Sequence, residues 1–145
     1  MIGLIQRVGH ASVVVDGETI GEIGRGLLAL VAVHRDDAER DIVRLADRLL
    51  GYRVFPDATD RMNLSVADIS GGLLLVPQFT LTADTRKGTR ASFTKGAAPE
   101  KATAYFDALA ANCRERLEDV RTGRFGADMQ VSLLNDGPVT FWLES

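Results

Sequence analysis

Leu27-Leu28-Ala29-Leu30-Val31-Ala32-Val33 is a run of seven apolar residues with no polar interruption. Apolar–polar alternation would mark a strand with one wet face; its absence points to a strand covered on both faces. Gly24-Arg25-Gly26 punctuates the chain just before this run. A second apolar stretch, Leu73 to Val76, has the same character and leads into Pro77-Gln78-Phe79-Thr80-Leu81. Upstream, Ile2 to Val8 and Ala11 to Val15 are rich in β-branched residues and read as two strands, with His10 at a turn between them. Asp16-Gly17 after Val15 is a hairpin signal, because these residue types tolerate the positive φ of a tight turn.

Helical spacing replaces strand spacing from Asp37 to Leu50, where Ile42, Leu45, Ala46, Leu49 and Leu50 recur on one face. Asp36 or Asp37 is the expected N-cap and Gly51 the expected stop. Val54-Phe55 reads as a short strand before the turn-rich Pro56 to Asp60. Pro99 suits a first helical residue, and Ala102, Tyr105, Phe106, Leu109, Cys113 and Leu117 make the apolar stripe of a helix ending near Val120. Met129, Val131 and Leu133 alternate as a strand, and Val139 to Leu143 forms a last strand. Between the two helices, Thr82 to Ala98 is expected to be a long loop, and such loops in compact domains are often functional. Together these elements predict one α+β domain over residues 1–145, with a compact β-barrel-like sheet and two main helices.

Composition narrows the function classes. Of the 145 residues, 46% are hydrophobic and 26% charged, as in a soluble globular domain. The single cysteine, Cys113, cannot close an internal disulfide, so a reducing, cytoplasmic setting is expected. No segment approaches the roughly 20 apolar residues of a membrane span, and Met1 to Arg7 lacks the pattern of a signal peptide. A net charge of −3 argues against a protein that grips long phosphate tracts, so duplex DNA is not an expected partner. Locally, though, Arg86, Lys87, Arg90 and Lys95 face one anion, Asp84: enough for a footprint on a single-stranded end.

The usual catalytic kits are missing. His10 and His34 sit in no motif, and Cys113 falls on the helix's apolar stripe, where a small buried hydrophobe is expected. No Cys/His cluster has ligand spacing, so neither a metal nor another cofactor is expected. Gly21 to Gly26 fits no phosphate-loop spacing. Two segments stand out. Gln78 and Thr80 would share one face of a strand, either as solvent-facing polar residues or as a polar pair at a site. Asn135-Asp136-Gly137-Pro138-Val139-Thr140 has the composition of a hairpin turn between two strands.

These two segments together resemble the signature motifs of the D-aminoacyl-tRNA deacylases, formerly called D-tyrosyl-tRNA deacylases. The likeness extends to Ile5-Gln6-Arg7-Val8, Gly51-Tyr52-Arg53-Val54-Phe55, Met62-Asn63-Leu64, Arg90 to Ala97 and Thr122 to Val131, essentially the whole chain. One position departs from the pattern: Pro77 stands where the family usually has serine, removing a hydroxyl and a backbone N–H at once.

The resemblance implies a homodimer in which Gly137-Pro138, held cis, enters the partner subunit's active site. It implies that Gln78, Phe79 and Thr80 line the catalytic pocket, with the Phe79 N–H near the scissile ester. Pro77, Phe125 and Met129 would lie near the terminal adenosine of the tRNA's 3′ CCA end, and Arg7 would brace the Gly137-Pro138 segment. Substrates would be D-aminoacyl-tRNA and glycyl-tRNA, including glycine mischarged on tRNA(Ala). L-aminoacyl-tRNA would be rejected, because a fixed main-chain carbonyl clashes with an L side chain and accepts hydrogen or a D one. Proton handling would come from the tRNA's own 2′-OH; the alternative is a Thr80 nucleophile. Two other classes remain open, a non-catalytic tRNA-binding homologue weakened by Pro77 and a plain dimeric interaction domain.

Overall fold

In the computed structural model, which describes residues 1–145, the N-terminal segment is one long strand, β1 (Ile2–Val15), instead of two. His10 therefore lies inside a strand, paired opposite Leu134, and not at a turn. Register shifts on either side of Val8 bend the strand without ending it. β2 (Glu18–Ile23) folds back on the C-terminal half of β1 through Asp16-Gly17, whose φ values of 50 and 77° are those of the anticipated tight turn. β3 (Gly26–Ala32) pairs antiparallel with the N-terminal half, from Ile2 opposite Ala32 to Val8 opposite Gly26.

The first helix, α1 (Glu39–Gly51), buries the stripe Ile42, Leu45, Ala46, Leu49 and Leu50. Its start is held by Asp41, whose carboxylate accepts the Ala38 N–H at 2.8 Å, and not by Asp36 or Asp37. Asp37 is engaged elsewhere: it accepts from the Met1 amine at 2.7 Å and from the His34 N–H at 2.6 Å. Gly51 is the last helical residue and not a stop beyond it; the Tyr52 N–H closes the helix on the Arg48 carbonyl at 3.0 Å.

A small hairpin of β4 (Phe55–Pro56) and β5 (Met62–Leu64) precedes β6 (Gly72–Pro77), which lies parallel to β3. The second helix, α2 (Pro99–Arg114), begins at Pro99 as expected but stops well before Val120. Leu117 and Val120 stay buried through a turn closed on the Cys113 carbonyl, and Val120 opens β7 (Val120–Thr122), parallel to β6. The chain finishes in β8 (Gln130–Glu144), one strand along the other edge of β1. No helix is long and apolar enough to cross a membrane.

Both apolar runs are covered on both faces. Leu27, Ala29, Val31, Leu73 and Leu75 pack with Ile5 against the two helices. Leu28, Leu74 and Val76 point the other way, into a cluster with Val8, Ala11, Val13 and Ile23. This second cluster fills the inside of a sheet curled into a nearly closed barrel. The closing approach is between β2 and β7: a Cβ on Gly21 would stand 3.0 Å from the Thr122 carbonyl oxygen, a tight contact that glycine avoids. Each large aliphatic side chain buried this way contributes roughly 1.5–3 kcal/mol.

Candidate active site

β6 ends at Pro77, opposite Val31 of β3, and the Gln78 N–H extends that pairing with a 2.7 Å bond to the Val31 carbonyl. The chain then leaves the sheet in a short 3₁₀ turn, Phe79–Thr82, where the sequence had suggested a continuing strand. The buried Thr82 hydroxyl fixes this turn by donating to the Phe79 carbonyl at 2.8 Å. Gln78 and Thr80 still meet, but through the turn and not through strand periodicity: Gln78 Nε2 donates to Thr80 Oγ1. No imidazole or carboxylate bonds the Thr80 hydroxyl. The N–H groups of Phe79 and Thr80, at the head of the turn, have no acceptor within it.

Beside this turn lies an apolar cavity of about 260 Å³. Val31 of β3, Val33 just beyond it, Pro77, Phe79, Ala97, Phe106 and Phe125 line it. Its scale is that of one base or one amino-acid side chain, below the roughly 300–1,000 Å³ of sites for larger ligands. Phe79 is 58% exposed at the mouth, its ring 5.3 Å from that of Phe93 at an interplanar angle of 50°. Of the residues named from the sequence, Pro77, Phe79 and Phe125 line the cavity together; Gln78 and Thr80 flank Phe79 in the chain but are not part of the lining. Met129 stands behind the lining; its Sδ accepts the Arg124 N–H at 3.4 Å, and it packs toward the barrel interior.

Gly137, Pro138 and Arg7 lie elsewhere. The Asn135–Thr140 segment does not reverse the chain as its composition suggested. Gln6 faces Thr140 and Val8 faces Asn135, so Asp136 to Val139 bulge out opposite the single residue Arg7 while β8 continues beyond. Within the bulge the Gly137-Pro138 peptide is cis, and both residues are exposed. Arg7 Nε donates to the Asp136 carbonyl at 2.9 Å, and its NH1 reaches the Val54 carbonyl at 2.6 Å. The Asn135 side chain, whose role composition did not reveal, spans the bulge: Oδ1 accepts the Val139 N–H at 2.8 Å and Nδ2 donates to the Val139 carbonyl at 3.2 Å. The signal for it lies in a register that only the folded strand displays.

The same register separates bulge and cavity. Arg7 pairs with Leu27, whereas Val31 of the cavity pairs with Gly3. Four residues along a strand span about 13 Å, so one chain holds the two features apart along the sheet.

Cys113 and Asp84 are shifted by their immediate surroundings. Cys113 is buried under α2, and burial pushes its thiol up to about 11, leaving a neutral, inert side chain. Arg86 grips Asp84 and holds that carboxyl well below the usual carboxylate range.

The chain's relatives are consistent throughout its length. A D-aminoacyl-tRNA deacylase of Alkalilimnicola ehrlichii is 64% identical over 145 residues, which is 100% of this chain and 97% of that protein. The D-aminoacyl-tRNA deacylase of Escherichia coli is 57% identical over 144 residues, 99% of each. A solved structure described as c-Myc DNA Unwinding Element Binding Protein superposes with a TM-score of 0.95 at 37% identity, covering 100% of this chain and 99% of the other. The profile of the family described as D-Tyr-tRNA(Tyr) deacylase matches residues 4–144, so this chain belongs to that family.

Proposed function

We propose that this protein hydrolyses the ester between a D-amino acid, or glycine, and the 3′-terminal adenosine of tRNA, working as a homodimer whose subunits complete each other's pockets. The observation that carries this reading is the distance along the sheet between the Pro77–Phe79–Phe125 cavity and the Gly137-Pro138 bulge, about 13 Å or more within one chain. An exposed bulge, held by Arg7 and Asn135 and unable to reach its own cavity, suits a neighbouring one. The free edge of β8 supports the dimer: it exposes Leu134, Phe141 and Trp142 next to the bulge, and unpaired strand edges with apolar side chains favour self-association.

The terminal adenosine sits in the apolar cavity against Phe125, leaving the ester at the Phe79 turn. The Phe79 N–H donates to the ester carbonyl oxygen as negative charge builds there. Water attacks the carbonyl carbon, the bond to the ribose 3′ oxygen breaks, and the adjacent 2′-OH relays the proton, so no side-chain base is required. Gln78 donating to Thr80 fits a positioning role better than a nucleophilic one, because a donated hydrogen bond draws electron density from the hydroxyl oxygen. Chirality is judged by main chain from the partner's bulge, which meets the one centre every substrate shares; glycine passes because it has no side chain to reject.

Purified protein assayed on D-tyrosyl-, L-tyrosyl- and glycyl-tRNA should cleave the first and third and spare the second, with sedimentation at twice the chain mass. RNA binding without cleavage would mark a non-catalytic homologue, and indifference to all three would mark an interaction domain.

A further inference from the structure

We propose that the loop from Ala83 to Lys95 is a second subsite, which holds the phosphates and one base of the unpaired RNA strand leading into the cavity. The proposal rests on the tRNA reading above and adds where the preceding nucleotides bind. The loop grows out of the cavity at both ends: it starts just after Thr82, which is bonded to Phe79, and returns at Ala97, which lines the cavity. Its neck is closed by reciprocal bonds between Asp84 and Ser92 at 2.8 and 3.1 Å. The returning leg is tied by the Arg35 N–H to the Lys95 carbonyl at 3.0 Å and by the Arg35 guanidinium to the Thr94 carbonyl at 3.3 Å.

Charge on this loop is sorted. Arg86 is committed to Asp84, so that pair is neutral. Lys87, Arg90 and Lys95 are exposed and join no ion pair, and no acidic residue occurs from Thr85 to Lys95. An ordinary solvated face mixes signs; here Lys87 and Arg90 stand uncompensated on a protein whose net charge is −3, while Lys95 lines a neighbouring hollow with Asp36, Asp37 and Asp41. A hollow of about 540 Å³ lies among Asp84, Arg86, Lys87, Arg90 and Ser92. Phe93, 45% exposed, carries the aromatic surface of Phe79 from the cavity mouth onto the loop. Cations along a groove with an adjoining aromatic face are what a single strand requires, phosphates on the first and a stacked base on the second. The patch is too small for a duplex, whose charged surface needs a wider basic field.

The test uses the full-length protein and a fluorescein-labelled, uncharged RNA hairpin ending in unpaired ACCA, titrated between about 50 and 200 mM salt. Each phosphate contact on a single strand adds about 0.7 to the slope of log affinity against log salt, so Lys87→Gln with Arg90→Gln should flatten it by about 1.4. At the low-salt end this is roughly a sevenfold weaker Kd relative to the high-salt end. Phe93→Leu should weaken the ACCA hairpin by roughly fivefold or more and a blunt hairpin much less. On charged tRNA the double variant should lose several-fold more kcat/KM than on aminoacyl-adenosine, which has no preceding nucleotides. An unchanged salt slope, or equal losses on tRNA and aminoacyl-adenosine, overturns the subsite. Normal RNA binding with the expected slope change but no ester cleavage by the parent would uphold the subsite and sink the hydrolase reading.

Discussion

Replacing Asn135 with alanine removes the side chain that spans the Asp136–Val139 bulge. Its Oδ1 accepts the Val139 N–H at 2.8 Å, while Nδ2 donates to the Val139 carbonyl at 3.2 Å and to Thr140 Oγ1 at 3.3 Å. Val139 is 7% exposed, so in the variant its N–H loses its acceptor with little access to water. An orphaned buried donor costs about 1–3 kcal/mol, and the two longer, wetter bonds add about 0.5 kcal/mol each at most. The sum is roughly 1–4 kcal/mol, or about 3–15 °C in Tm for a chain of this size. Urea unfolding followed by circular dichroism measures the first part. The second is read by deacylation of D-tyrosyl- and L-tyrosyl-tRNA, where a loosened Gly137-Pro138 should let the L substrate gain on the D. A variant within about 0.5 kcal/mol of the parent, the range of ordinary surface changes, would refute the bond accounting. Full destabilisation with unchanged D/L discrimination would refute the role given to the bulge.

Other outcomes follow from the same geometry. Pro77→Ser should speed deacylation by roughly 2- to 10-fold, the value of one neutral hydrogen bond; equal single-turnover rates would mean the position is idle. Thr80→Ala should slow cleavage less than about tenfold, while a tRNA lacking the terminal 2′-OH should be cleaved on the order of 100-fold more slowly. The reverse ranking would revive the Thr80 nucleophile. Burial raises the folded-state pKa of Cys113 from 9.0 to about 11, so its contribution to stability is complete below pH 9.0 and fades as pH rises toward about 11. Cys113→Val should flatten that alkaline decline in urea midpoint, and a parallel decline in both proteins would contradict it.

Much of the fold was legible because its signals were long and periodic. The runs at Leu27 and Leu73 announced strands covered twice, and the stripes from Ile42 and from Ala102 announced the helices. What escaped were places where tertiary contacts overrode local preference. Asn135 to Thr140 has every residue type of a turn, yet pairing of β1 with β8 on either side absorbs it as a bulge. Val120-Arg121-Thr122 is too short to read alone and becomes a strand only because Leu73 to Leu75 offer a parallel edge. His10 read as a turn between two strands, but β8 carries the ladder past it. In the candidate site the residue names were readable and their arrangement was not. Gln78 and Thr80 meet through a 3₁₀ turn, and Asn135 works across a bulge that no spacing rule reveals.

β1 has a further consequence for how the molecule comes into being. Its first residues need partners far apart in the sequence, since Ile2 pairs with both Ala32 and Glu144. During synthesis the β3 side can zip early, but the other edge of β1 stays open until β8 has been made. Closing so long a span is entropically slow, and an unpaired apolar strand edge is sticky while it waits. The nascent polypeptide must therefore keep an unfinished barrel soluble until β8 arrives, and that fifteen-residue strand acts as the clasp.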